Sequence, residues 1–323
     1  MPAPIRKYDQ HGFPVPGTFE DLPMPDRDSP GRAAAPSSVR PRGASRRKKI
    51  VLGSILLAVI ALAAIPWLTN VGQGLLGNWL AQRARNRFND GDMPGTVADS
   101  TRAFGLLGDE LSDDRRIELL AMRGIAKLEI QDLEGSRSDF DRVLTSPKAG
   151  PGIRLMCYYR RSWANCRLHD YAAAVADATE AIKLLGRNDQ LLPTLLNQRA
   201  YVRALANANQ QERDELEAGL QDIERAMLMA GDNPAFIDTR GYLRHLLGDN
   251  KHALEDMQRA IALTERRRER AYAFDETEGL KKDLAVMYFH IALIHDALGS
   301  KVEAQKYHQQ AEEFGYDPAA GVL

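Results

Sequence analysis

Residues 235–263, AFIDTRGYLRHLLGDNKHALEDMQRAIAL, decide the fold. Their apolar and small residues recur at helical spacing on both sides of Leu247-Gly248-Asp249-Asn250, a run of strong turn formers, so the stretch predicts two antiparallel helices. One covers about Phe236 to Leu247, the other about Lys251 to Thr264. Small residues stand where two such helices must approach closely, at Gly241, Ala253 and Ala260, and Tyr242, Leu243, Leu246, Leu254, Met257, Ile261 and Leu263 supply the bulk around them. A lone hairpin of this kind cannot bury its apolar faces, so it needs neighbours of the same design.

The chain supplies them. The frame Arg240-Gly241, Gly248-Asp249, Ala253, Asp256 and Ala260-Ile261 recurs at Arg123-Gly124, Asp132, Ser136, Asp139 and Val143-Leu144. It recurs again at Arg161-Ser162, Asp170-Tyr171, Ala174, Asp177 and Ala181-Ile182. A copy from Arg199-Ala200 to Asp222 and Ala226-Met227 carries seven extra residues within the polar run Asn207 to Glu217. A weaker first copy holds Arg83-Ala84, Gly91-Asp92, Asp99 and Ala103-Phe104, and a last one, with Ala292, Gly299, Ala304 and Ala311, has lost both the Arg and the Asp. This pattern resembles the tetratricopeptide repeat (TPR) family, in its variants with Arg-Gly in the first helix and Asp in the second. The resemblance covers residues 78–318 and implies an all-α solenoid of about six helical hairpins. Equivalent residues lie farther apart than the family's ~34-residue period, so longer loops or extra helical turns are expected between units.

Ahead of the repeats the composition changes. Residues 1–49 are rich in Pro, Gly, Ser and Arg and carry ten Lys/Arg against five Asp/Glu. Such a segment cannot bury enough apolar surface to offset its ordering entropy, and it is expected to be a disordered tail. Residues 50–68 are apolar, interrupted only by Gly53, Ser54 and Pro66. Nineteen helical residues at ~1.5 Å each cover a ~30 Å hydrocarbon core, which predicts a transmembrane helix. Arg46-Arg47-Lys48-Lys49 precede it, so the positive-inside rule puts the N-terminus in the cytoplasm and the repeats on the outer, periplasmic or extracytoplasmic face. The alternative is export after signal cleavage, because Ala61-Leu62-Ala63 offers small residues at cleavage spacing. Residues 69–77 read as a Gly-containing joint, with helix signals resuming at Asn78. Residues 265–283 read as a solvated extension of the preceding helix followed by a linker, and 319–323 as a C-terminal tail.

The whole chain has a net charge of −1, and the tail holds +5 of it, which leaves −6 over the remainder. Without a basic excess the repeats are not expected to bind nucleic acid. Cys157 and Cys166 lie nine residues apart on one expected helix, ~13 Å at ~1.5 Å per residue, too far for a disulfide between them. No phosphate-binding Gly loop, nucleophile elbow, Cys-x-x-Cys pair or His-Glu-x-x-His helix occurs. His290 and His295 would diverge by ~140° around a helix, which argues against a shared metal. Neither an enzyme nor a cofactor is expected.

The recurring charges are expected to be structural: Arg83 with Asp99, Arg123 with Asp139, Arg161 with Asp177, Arg199 with Asp222, and Arg240 with Asp256. A ligand site would not need five copies, whereas a guanidinium can satisfy a carboxylate bidentately where helices are close. The resemblance further implies that first helices line a concave groove for a protein or peptide partner. Carried onto this chain, the groove positions are Tyr159 and Trp163, then Asn197 and Tyr201, then Asp238, Tyr242 and His245, with Arg160 alongside. The expected function is a membrane-anchored protein-interaction scaffold, with envelope assembly or chaperoning as the role that similar single-span TPR proteins suggest. The alternative is a regulatory solenoid sensing a small molecule or peptide, which would show as a deep pocket closed by Asn207 to Glu217.

Overall fold

The computed structural model describes residues 71–185, 190–208, 212–271 and 274–316. The expected tail, transmembrane segment and C-terminal tail lie outside them. Among the described residues no helix is long and apolar enough to cross a membrane, and no strand occurs. The helices are α1 (71–89), α2 (Met93–Leu107), α3 (Asp113–Glu129), α4 (Leu133–Leu144), α5 (Pro151–Arg167) and α6 (Tyr171–Leu184). They continue as α7 (Leu192–Asn207), α8 (Arg213–Ala230), α9 (Pro234–Leu246), α10 (Asn250–Arg270), α11 (Phe274–Ala297) and α12 (Lys301–Glu313).

The chain divides into two compact units, and the boundary falls inside α3 between Leu119 and Leu120. In the first unit α1 and α2 form a hairpin. Helix α1 is already helical at residue 71, the first described residue, seven residues before Asn78, and so runs through most of the stretch that reads as a joint. The physical reason lies in Gly77, where a Cβ would come within 2.6 Å of the Leu107 side chain. That glycine marks a close approach between helices, not a flexible break.

The second unit stacks the later helices as sequential hairpins, α5 on α6, α7 on α8, α9 on α10 and α11 on α12. Neighbouring hairpins share a core. Leu195, Leu196, Ile237, Leu243, Met257, Leu284 and Ile291 are fully buried, and Ala174, Ala181, Ala253, Ala260 and Ala292 let the backbones close around them. Local chemistry sets four of the hairpin turns. The residue before the second helix's N-cap adopts a left-handed conformation (Gly91, Gln131, His169 and Gly248, with φ of 81°, 68°, 60° and 88°). The aspartate that follows caps the helix: Asp92, Asp132, Asp170 and Asp249 accept from the backbone N–H of Gly95, Gly135, Ala173 and His252. Each satisfies one donor that the first turn would otherwise leave unpaired.

The seven extra residues of the fourth hairpin are absorbed mostly as helix. Counted from the shared Arg and Asp, α7 ends two residues later than α5 and α8 starts three residues earlier than α6, which leaves only two in the turn. The linker expected within 265–283 is also mainly helix, because α10 continues to Arg270 and α11 begins at Phe274. Helices α10 and α11 reach 21 and 24 residues, which lengthens the interval between the fifth and last copies.

Candidate functional site

The recurring charges meet inside their own hairpins. Arg83 donates through Nε and Nη2 to both oxygens of Asp99 at 2.5 Å. The same fork joins Arg123 to Asp139 at 2.7 and 2.6 Å, Arg161 to Asp177 at 2.9 and 2.5 Å, Arg199 to Asp222 at 2.8 and 2.7 Å, and Arg240 to Asp256 at 2.9 and 2.6 Å. A second donor, absent from the sequence reading, stands four residues after each arginine and therefore on the same helix face. It is Arg87 at 3.3 Å from Asp99, Lys127 at 3.0 Å from Asp139, Asn165 at 2.9 Å from Asp177, Arg203 at 2.7 Å from Asp222 and Arg244 at 2.7 Å from Asp256. The spacing was present in the sequence as the signal. In the third hairpin this donor is the neutral Asn165, and Arg161 also reaches back to Asp141 of α4 at 2.5 Å.

Environment splits these carboxylates. The hydrogen bond from Arg83 holds Asp99 below its ordinary range, and Arg83 is itself one-third exposed. Burial pushes Asp177 upward, and Arg161 offsets only part of that. The two thiols are buried and free, and burial pushes both Cys157 and Cys166 up to about 12, which makes them poor nucleophiles. Among the described residues no cluster of His, Cys, Asp and Glu is placed to hold a metal.

The residues assigned to the groove separate into three groups. Tyr159, 1 % exposed, belongs to a core cluster with Leu155, Ala181 and Leu195, and is therefore removed from any open surface. Arg160 turns towards Glu129, 3.9 Å away, and Asn197 is half-buried on α7. Trp163, Tyr201 and Tyr242 form a ring-to-ring row across α5, α7 and α9, with centroids 6.4 and 6.5 Å apart. Trp163 is half-buried, but Tyr201 and Tyr242 are only 8 % and 5 % exposed. The open aromatic concavity is thus closed at its C-terminal end, and α11 closes it. His290 stacks on Tyr242 at 4.2 Å and 8°, and donates through Nδ1 to the carboxylate of Asp238 at 2.9 Å. His245 lies on Tyr242 at 6.4 Å and meets Asn250 through Nδ1 at 2.7 Å. The sequence reading missed His290 because its copy has lost the Arg and Asp that register the others.

Beneath α11 the row borders a cavity of about 90 Å³ lined in part by Tyr201, Tyr242, Phe289, His290 and Tyr316. Among the described residues of 207–217, the expected lid of such a pocket, none lines it. At the other end of the row, Trp163 Nε1 and Asn197 Oδ1 are buried and have no hydrogen-bond partner among the described residues.

One solved structure, a tetratricopeptide repeat protein from Parabacteroides merdae, aligns with 76 % of this chain and 96 % of its own at a TM-score of 0.51 and 13 % identity. The fold is a TPR-like helical solenoid. Identity that low establishes the fold alone. PilF of Pseudomonas aeruginosa aligns over 76 % of this chain and 94 % of its own at 10 % identity, with a TM-score of 0.45. No family model matches the chain, and no curated protein matches it.

Proposed function

We propose that the chain is a membrane-anchored interaction scaffold. In this reading residues 50–68 span a membrane with the N-terminus in the cytoplasm, and the solenoid on the outer face binds an extended peptide or protein. The binding surface is the half-buried end of the aromatic row, around Trp163, Asn197 and Arg160. One observation carries the reading. Trp163 Nε1 and Asn197 Oδ1 are a donor and an acceptor withdrawn from water without partners on a surface that includes Arg160. A buried polar atom left unsatisfied costs about 1–3 kcal/mol, and native structures keep few of them. A peptide backbone supplies the complementary acceptor and donor, and Trp and Arg are common anchors of binding surfaces. The fold supports the reading by class only.

The test places a photo-crosslinking side chain at Asn197 and, as a control, at Leu228, which is 89 % exposed on α8. Irradiation in the native membrane is expected to yield a discrete adduct from position 197, lost when Trp163→Ala is added to a chain of unchanged helicity. Equal adducts from both positions, or an adduct indifferent to Trp163→Ala, would place the partner elsewhere.

A further inference from the structure

The cavity under α11 has a chemistry of its own. Five aromatic rings face it, from Tyr171, Tyr201, Tyr242, Phe289 and Tyr316, and among the described residues no Lys, Arg, Asp or Glu lines it. His169 lies exposed at its rim, and the deeper walls are nearly closed, with His290 only 2 % exposed. Tyr201 and Tyr242 are only 8 % and 5 % exposed. About 90 Å³ is several times the space one water needs and smaller than a cavity that takes benzene. A group of roughly five heavy atoms fits that range.

Charge decides which group. In this unit Asp139, Asp177, Asp222 and Asp256 each hold an arginine in a two-pronged contact. Asp238 is equally buried, at 6 % exposed, and its side-chain partner is an imidazole, that of His290, which lines the cavity. Its negative charge is felt at the wall: burial first, and then Asp238, raises Tyr201, while burial, then Tyr316 and Tyr171, and then Asp238 raise Tyr242, so both hydroxyls stay neutral. A neutral aromatic chamber backed by a carboxylate with no full cation beside it favours a positive guest. Ring faces attract a desolvated cation, and the tyrosine oxygens can accept its N–H groups.

We propose that this cavity binds a single alkylammonium group, either the side chain of a lysine in a bound peptide or a small free amine. Neither Trp163 nor Asn197 lines the cavity, although Trp163 lies against its Tyr201 wall, so the two proposals are tested with different variants.

The full 323-residue chain is titrated with n-butylammonium and with n-butanol, its neutral counterpart of equal heavy-atom count, by calorimetry and by ring proton shifts. The ammonium is expected to bind about tenfold more tightly, the order of a desolvated cation–π contact. Asp238→Asn retains a hydrogen-bonding group towards His290 and removes the charge, and should reduce the ammonium preference while the ring faces keep part of it. Leu205→Phe, which narrows the cavity from α7, should weaken both probes and serves if the first variant fails to fold. A short peptide with one central lysine binding more tightly than n-butylammonium assigns the site to a peptide side chain, and weaker peptide binding assigns it to a free amine. Equal affinity of wild-type protein for both small probes, an ammonium preference untouched by Asp238→Asn, or affinities for both probes untouched by Leu205→Phe, would overturn the proposal.

Discussion

Gly241 sets how closely α9 can approach α10, and enlarging it gives a sharp test of the packing. A Cβ built there would lie 2.9 Å from Met257 Cε, 3.1 Å from Asp256 Cβ and 3.3 Å from the Ala253 carbonyl oxygen. The first contact can yield, because it is the end of a flexible side chain. The other two belong to the facing helix, and Asp256 is fixed by Arg240 and Arg244. Gly241→Ala gains about 1 kcal/mol of helix propensity and meets an overpacking cost of about 1–3 kcal/mol, so its net effect is a loss of about 0–2 kcal/mol. Gly241→Leu adds three more carbons to the same gap and reaches at least the upper end of that cost, about 3 kcal/mol. For a domain of this size 1 kcal/mol moves the melting temperature by about 2–4 °C, so Leu should lower it by roughly 6–12 °C. Solenoid stability runs through nearest-neighbour interfaces, and α7 and α11, which both contact α9, should loosen with it. Gly279→Ala is the control: nothing lies within 4 Å of its Cβ, and it should gain stability up to about 1 kcal/mol. Thermal melts followed by far-ultraviolet circular dichroism read all three. An unchanged melting temperature for Gly241→Leu would refute the packing argument.

Removing Asp256 by Asp256→Ala strands Arg240 and Arg244 in a half-buried site and should cost about 3–5 kcal/mol in a denaturant titration. Arg259→Ala, at an exposed pair with Asp232, should cost at most about 1 kcal/mol. Because Arg83 holds Asp99 below its ordinary range, that pair's contribution is present above the unfolded carboxyl value of about 3.9 and is lost as pH falls through the lower folded value. Asp99→Asn should flatten the acid limb of a stability–pH curve. His245 is held below its usual value, chiefly by burial, so the unfolded chain protonates first and stability should fall as pH drops through about 6.5. His245→Gln should remove that slope. If residues 50–68 anchor the chain as proposed, external protease on intact spheroplasts should digest the repeats and spare residues 1–49. The reverse pattern, or a soluble fragment starting near Ala64, would replace the anchor by the opposite topology or a cleaved signal.

The solenoid was legible because its registering residues act locally. An Arg and an Asp sixteen apart, a turn ending in Asp, and small residues at the helix crossings describe one hairpin completely, and recurrence supplies the rest. Glycine was the ambiguous letter in that code: Gly77 reads like Gly248, yet one fills a tight helix contact and the other a left-handed turn with φ of 88°. Only the element across from a glycine separates the two cases, and for Gly77 that element is α2, some thirty residues on. The aromatic row was legible as a row for the same local reason, since Trp163, Tyr201 and Tyr242 occupy one position of successive first helices. Its burial was not, because the covering residues His290, Phe289 and Tyr316 come from the one hairpin that lacks the shared charges. That hairpin has nothing to pair in the Arg–Asp manner, and its His290 turns instead to Asp238, two residues before Arg240 on the preceding first helix. The departure from the repeat pattern and the enclosed cavity are thus one event: where the final copy drops its own ion pair, an imidazole crosses to the neighbouring helix and roofs the aromatic row.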